Sequence, residues 1–220
     1  MSTTTSALKI VVFGAAGNVG RRVVAEALAR GHHVTAVVRD AARFPEFPPG
    51  AVPRVGDAAN PADVAALTAG QDVAVGATRP ALGDEDALVA AAEGLVAGAE
   101  QSGVRLLLVG GAGSLVLPGT DGLTVEDGPD FPADWRPIAR ACTAQLAVVR
   151  TAPLAVDWAY VSPAAILEPG ARTGVFRLGA DELVVDTDGV SAISMEDLAV
   201  ALVDEAEHPK HHRTRFTLGY

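Results

Sequence analysis

Apolar residues occur in two spacings along this chain, and the two alternate. Residues 8–13 (LKIVVF) are a short apolar run with no polar interruption beyond Lys9. Such a run predicts a strand covered on both faces, as in a parallel sheet. Residues 18–30 follow at helical spacing, with Val19, Val23, Ala27 and Arg30 on one stripe and Val24 and Leu28 beside it; Gly31 stops the helix. Residues 34–38 predict a second strand, 52–55 a third and 72–77 a fourth, with a short Pro-initiated helix over 61–68. A long helix over 84–102 turns Leu88, Ala91, Ala92, Leu95, Val96 and Ala99 inward, and Gly103 ends it. Residues 104–109 (VRLLLV) give a fifth strand, 137–150 a helix and 156–161 a sixth strand.

Between these elements lie segments of different character. Residues 40–50 carry Pro and Phe and read as loop with at most a turn of helix. Residues 110–134 form a connection long enough to suggest a functional loop or an active-site wall. Near the end, residues 174–178 and 183–186 predict a small hairpin around 179–182. Ser194 is placed to cap a helix running to about Glu207, with Asp197 near its positive end and Ile193 against Leu198 as a staple. Residues 213–218 give the last strand. Strand and helix alternate throughout, which predicts an α/β protein around a central parallel sheet.

The first strand runs into Gly14-Ala15-Ala16-Gly17-Asn18-Val19-Gly20, a G-x-x-G-x-x-G spacing that opens the first helix. Strand, glycine turn and helix N-terminus are what a dinucleotide's pyrophosphate requires. Gly14 permits the turn, Gly17 lets the backbone approach, Gly20 lets helix and strand pack closely, and free N–H groups near Ala16, Asn18 and Val19 hold the phosphates. The second strand ends Val37-Val38-Arg39, where a site for NAD usually has an acidic residue. Arg39 favours a 2′-phosphate and hence NADP, while the adjacent Asp40 leaves NAD open. Asp57 and Ala58 fall beside the adenine, Asp57 alternatively capping its own turn. Ala77 and Thr78 fall where a strand end passes the cofactor, and Arg79 just beyond is either a phosphate ligand or a solvated cation.

With these residues the chain resembles the atypical short-chain dehydrogenase/reductases. More closely it resembles the NmrA-like NAD(P)-binding group that includes proteins described as NADH-flavin reductases and is similar to biliverdin reductase B. The matching segments are KIVVFGAAGNVGRRVVAEALARGHHVTAVVRD, RLLLVGGAGSL, DWAYVSPA, RTGVFRLG and RFTLGY. The resemblance implies a Rossmann-like doubly wound sheet in three α/β/α layers. It implies one NAD(P)-binding domain over residues 1–220, with a small substrate lobe at 162–193 over the nicotinamide. It also implies a reduced nicotinamide donor and a planar acceptor, FMN or another flavin, as substrate rather than bound group.

Routine alcohol–ketone chemistry in such enzymes uses Tyr-x-x-x-Lys to move a proton. The tyrosines here are Tyr160 and Tyr220 and the lysines Lys9 and Lys210, so no such pair exists. Hydride transfer to a delocalised ring needs chiefly orientation, with solvent supplying the proton. Gly110, Gly111 and Pro163 are expected along the nicotinamide, and Ser114 is the candidate hydroxyl for orienting acceptor or carboxamide. Trp135 and Phe131 either stack on a flat acceptor or pack over the sheet edge. Two other readings stay open: a non-catalytic NADP-binding redox sensor, and a dehydrogenase or epimerase acting on a sugar or small carbonyl compound.

The remaining features narrow the class. Twenty-seven acidic against 17 basic residues give a formal charge of −10, which opposes nucleic-acid binding. No apolar run is long enough for a membrane span, and Met1 to Ser6 lack a signal's charge pattern, so a cytoplasmic protein is expected, monomer or homodimer. Cys142 is the only cysteine, which excludes a thiolate-built metal site; no metal is expected, and Cys142 reads as a small core residue. His32 and His33 read as polar turn residues, and His208, His211 and His212 as a solvent-facing basic turn.

Overall fold

The computed structural model describes residues 6–81 and 83–220. The expectation drawn from Met1 to Ser6 therefore falls, Ser6 apart, outside the described residues. Strands β1 (Lys9–Phe13), β2 (His33–Val38), β3 (Ala51–Val55), β4 (Val73–Gly76), β5 (Arg105–Val109) and β6 (Trp158–Ser162) alternate with helices α1 (Gly20–Ala29), α2 (Pro61–Thr68), α3 (Asp86–Ser102) and α4 (Arg136–Arg150). Three short strands follow, β7 (Ile166–Glu168), β8 (Arg177–Gly179) and β9 (Ala192–Ser194), then α5 (Met195–Glu207) and β10 (Thr214–Gly219).

The main sheet has eight strands in the order β3-β2-β1-β4-β5-β6-β10-β8. Every pairing is parallel except that of β8 with β10 at the edge. The unbroken apolar runs follow from burial on both faces. Val12 and Ile10 pack with Val23, Val24 and Ala27 of α1 and Leu198 and Leu202 of α5. Val11 and Phe13 pack on the other side with Val64 of α2, Leu95 of α3 and Leu146 of α4. Each fully buried aliphatic side chain contributes roughly 1.5–3 kcal/mol, so these two clusters dominate the stability of the three-layer fold. The chain winds outward from β1 in both directions. The strand order therefore reverses between β1 and β4, and the crevice at their C-terminal ends is where a ligand fits such a sheet.

Two local expectations are corrected. The hairpin over 174–186 does not form. Arg177–Gly179 instead pairs antiparallel with β10, Thr217 opposite Gly179, and Leu183 is buried with its N–H on the Val116 carbonyl at 2.9 Å. The free edge of β10 and the long loop outcompeted a local turn, and neither shows in local periodicity. His32 is not an exposed turn residue. It is buried, its Nδ1 accepting from the Leu8 N–H at 3.2 Å and its Nε2 lying 3.0 Å from Glu207. The pair β7–β9, a two-stranded parallel ladder, was not expected at all.

The expected cap of the last helix forms. Ser194 Oγ accepts from the Asp197 N–H at 3.0 Å. Asp197 is fully buried and gathers the Thr173 N–H, the Gly174 N–H and the Tyr220 hydroxyl, each at 2.8 Å, and the Thr173 hydroxyl at 2.5 Å. One carboxylate thus ties the segment before β8 and the end of β10 to α5.

Candidate cofactor and acceptor site

The glycine loop sits in the crevice at the end of β1. Gly14 has φ +75°, a left-handed conformation, and a Cβ there would stand 2.5 Å from the Ala77 carbonyl oxygen. A Cβ on Gly20 would collide with the Gly14 carbonyl. The Gly17 N–H closes the turn onto the Gly14 oxygen at 2.9 Å, and the Arg21 N–H bonds Gly17 at 3.0 Å. The N–H groups of Ala16, Asn18, Val19 and Gly20 have no backbone partner among the described residues. Four donors without a backbone partner at the positive end of a helix fit a pyrophosphate.

On the β2–β3 side of the crevice, Arg39 is exposed at the end of β2 and forms no ion pair among the described residues. Asp40 is also exposed, and its carboxylate accepts from the Ala42 N–H at 2.9 Å and caps the short helical turn Ala41–Glu46. Asp57 is likewise the cap of its own turn, accepting from the Ala59 N–H at 3.0 Å, and it remains exposed beside buried Ala58. Arg43, four residues beyond Arg39, donates to the Ala16 carbonyl at 3.2 Å and pairs with Glu46. That contact brings a cation to the glycine loop.

The other half of the crevice is built by the ends of β4, β5 and β6. Ala77 donates its N–H to the Phe13 carbonyl at 3.0 Å and so lies against the glycine loop. The Thr78 hydroxyl is buried without a hydrogen-bond partner, which suits it to a ligand. Gly110 and Gly111 continue from β5, the Gly110 N–H bonding Val161 at 2.9 Å, and Pro163 follows β6, buried. A Cβ on Gly110 would fall inside the Tyr160 ring. Ser114 does not bond its own backbone. Its Oγ accepts from Arg215 Nη1 at 2.9 Å, and Arg215 also holds Asp181. Ser114 keeps its own proton to donate, but it is turned toward β10.

The acid–base inventory of the crevice is short. Tyr160 is buried, with its hydroxyl 2.9 Å from both the Cys142 carbonyl and Gln145 Oε1, and burial holds its pKa well above the ordinary value. Tyr220 is bound to Asp197. Lys9 begins β1 at the opposite end of the sheet, and Lys210 precedes β10 at that same end, beside Glu205. Burial pushes the Cys142 thiol up to about 11, Arg79 and Glu126 acting on it in opposite senses, so it is no nucleophile at neutral pH. Glu126 was not singled out in the sequence. The Thr143 hydroxyl donates to its carboxylate at 3.0 Å, and it sits against Gly113. His211 and His212 are not a simple solvated turn: His211 reaches Glu205 at 2.8 Å and stacks on Phe216, and His212 reaches Asp157. Among the described residues no group of three or more His, Cys, Asp or Glu could hold a metal ion.

A parallel sheet whose order reverses at a glycine turn with four free helix donors defines a Rossmann-type nicotinamide-dinucleotide-binding protein. The chain belongs to the NAD(P)H-binding family, whose model matches residues 14–209. Three solved structures are similar over nearly their whole length. One, from Burkholderia pseudomallei, is provisionally described as an exported protein: it is 40% identical with TM-score 0.87, over 97% of this chain and 100% of that one. A Bacteroides thetaiotaomicron protein provisionally named an epimerase is 38% identical with TM-score 0.88, over 98% of both chains. A Streptococcus pneumoniae protein provisionally named an NADH-flavin reductase is 31% identical with TM-score 0.84, over 97% of this chain and 99% of that one. The names of these relatives differ, one an exported protein, one an epimerase and one an NADH-flavin reductase, whereas NAD(P)H binding is shared with the family.

Proposed function

We propose that this protein is an NADPH-dependent reductase that passes a hydride to a flavin or a similar planar conjugated acceptor. The observation that carries the reading is where the two tyrosines and two lysines lie: none of the four side chains serves the crevice beside the glycine loop. A carbonyl substrate needs a proton at its developing alkoxide, and this crevice has no Tyr–Lys pair to give it. That weighs against carrying over the epimerase name of the Bacteroides relative. A delocalised ring takes hydride at one atom and its proton from solvent, so NADPH, acceptor and one proton become NADP and the dihydro-acceptor. The Streptococcus relative's name agrees with the flavin acceptor, though it states NADH as the donor.

In this reading Gly14, Ala16, Gly17, Asn18 and Val19 hold the pyrophosphate, and Asp57 and Ala58 border the adenine. Arg39 pairs with the 2′-phosphate, while Arg43, held by Glu46, braces the Ala16 carbonyl of the glycine loop. Arg39, exposed at the end of β2 with no ion pair among the described residues, supports NADP over NAD. Bound NADPH supplies the hydride. Ala77, Thr78, Gly110, Gly111 and Pro163 border the nicotinamide half and hold water away from one side of it, and Ser114 orients an acceptor or carboxamide with the proton Arg215 leaves it. Residues 162–193 serve as the lobe over that end. The cytoplasmic location is kept from the sequence; among the described residues no helix is long and apolar enough to cross a membrane.

Purified protein is mixed with NADPH or NADH and a panel of FMN, FAD, riboflavin, quinones, biliverdin and simple sugars or ketones. Rapid oxidation of NADPH by a flavin, slower with NADH, is expected. Tight NADP binding with no turnover across the panel overturns catalysis in favour of a sensor, and turnover confined to sugars or ketones favours the dehydrogenase reading. Arg39→Ala is expected to raise the KM for NADPH about tenfold, the cost of one charge-assisted bond, while leaving NADH unchanged. Full retention of NADPH preference removes the 2′-phosphate role.

A further inference from the structure

Beside the proposed nicotinamide site lies a cleft of about 440 Å³ between the segment after β4 and the start of α4. Its walls are Arg79 and Pro80 on one side and Trp135 and Ile138 on the other, with Glu85 and Asp134 also lining it. The volume falls in the range of roughly 300–1,000 Å³ typical of small-molecule sites. Resting on the reductase reading above, we infer that this cleft is the acceptor subsite and takes a flat conjugated ring bearing a single carboxylate. Trp135 stacks on the ring and Arg79 pairs with the carboxylate.

Four observations support this. Trp135 is 55% exposed, an indole left in water on the wall of a concave surface rather than packed on the sheet. The Arg79 guanidinium lies 5.9 Å from the Trp135 ring centroid, and among the described residues it has no carboxylate within ion-pair distance and no hydrogen bond. By contrast Arg22, Arg30, Arg105 and Arg215 each hold a carboxylate. Arg79 is thus a charge beside an aromatic platform with no internal partner. The cleft also borders the crevice along the chain: Arg79, on its wall, directly follows Thr78, whose buried hydroxyl has no partner.

The fourth observation sets the charge of the occupant. Glu85 and Asp134 line the same cleft, and the whole chain carries −10. One anionic group beside Arg79 is compensated. A second one must face the two carboxylates, so a dianionic phosphate ester is disfavoured relative to a monocarboxylate.

The test uses the full chain saturated with NADP, and reads quenching of tryptophan fluorescence by lumiflavin-3-acetate, its neutral parent lumiflavin, and dianionic FMN. Wild type is expected to bind the acetate about tenfold more tightly than lumiflavin, one charge-assisted contact, with FMN weaker than the acetate. Arg79→Gln is expected to abolish that tenfold advantage and leave lumiflavin within about twofold. Trp135→Leu is expected to weaken both flat ligands and to remove most of the quenching, because Trp158 is buried elsewhere. Circular dichroism of both variants separates these effects from misfolding. Equal binding of acetate and lumiflavin by wild type overturns the inference. So does an Arg79→Gln variant that weakens both alike, or a failure of all three ligands to quench. Binding with this charge dependence but without NADPH oxidation leaves the subsite standing and sinks the reductase reading. Flavin reduction indifferent to Arg79 does the reverse.

Discussion

Single residues decide whether a dinucleotide fits this crevice, and the deciding ones lack side chains. Gly20 has the Gly14 carbonyl where a Cβ would go, and that neighbour is backbone, which moves only with the turn. Gly20→Ala is therefore expected to cost about 1–3 kcal/mol of stability and to weaken NADP binding at least tenfold in calorimetric titration, since the four free N–H groups shift together. Unchanged affinity would separate the glycine loop from the cofactor. This part of the site was legible because the reason for glycine is local: a turn, a strand end and a helix start adjacent in sequence. The roles of Arg43, Glu126 and Arg215 were not legible, because each rests on a partner brought from elsewhere: Ala16, Thr143 and Ser114. The pairing of Arg79 with Trp135 spans the β4 and α4 ends and has no sequence spacing to betray it.

At the scale of elements, strands and helices that bury one continuous stripe or run were readable to within a few residues. Those settled by distant edges were not. The segment around Gly179 had the alternation and the glycine of a hairpin, but β10 offered a paired ladder and took Arg177–Gly179 as its edge strand. Its anchor is Asp197 at the start of α5, whose place in the sequence marks it only as a helix-end charge. Burial raises the pKa of that carboxyl, but the donors from Thr173, Gly174 and Tyr220 together outweigh burial and hold it below the ordinary 3.8. Asp197→Ala leaves these donors unmet and is expected to cost about 3 kcal/mol in denaturant unfolding, while NADP affinity stays intact where the variant is folded. Since the folded pKa is depressed, the carboxylate's extra stabilisation is complete above the ordinary value. It is lost as pH falls through the folded one. The stability gap between wild type and Asp197→Ala should therefore hold near neutrality and shrink below about pH 4. A gap constant down to pH 2 would contradict this.

For the whole molecule, a net charge of −10 coexists with a site for a polyanion because recognition is local. Helix N–H groups open on the crevice, Arg39 stands exposed at the end of β2, and other arginines are held by carboxylates: Arg30 by Glu26, Asp204 and Glu207, and Arg105 by Glu205 and Asp157. The doubly wound sheet brings the glycine turn, the ends of β4, β5 and β6, and the Trp135 cleft to one edge. What this edge lacks is a proton-transfer pair, and that lack makes direct hydride transfer to a conjugated acceptor the central claim. The most direct measurement is anaerobic mixing of the protein with riboflavin and NADPH, unlabelled or deuterated at either face of nicotinamide C4, following both chromophores. The account predicts one flavin reduced per NADPH consumed, with the rate slowed by deuterium on one face alone. NADPH that stays bound and unoxidised, or flavin reduction equally fast with the protein left out, would contradict it.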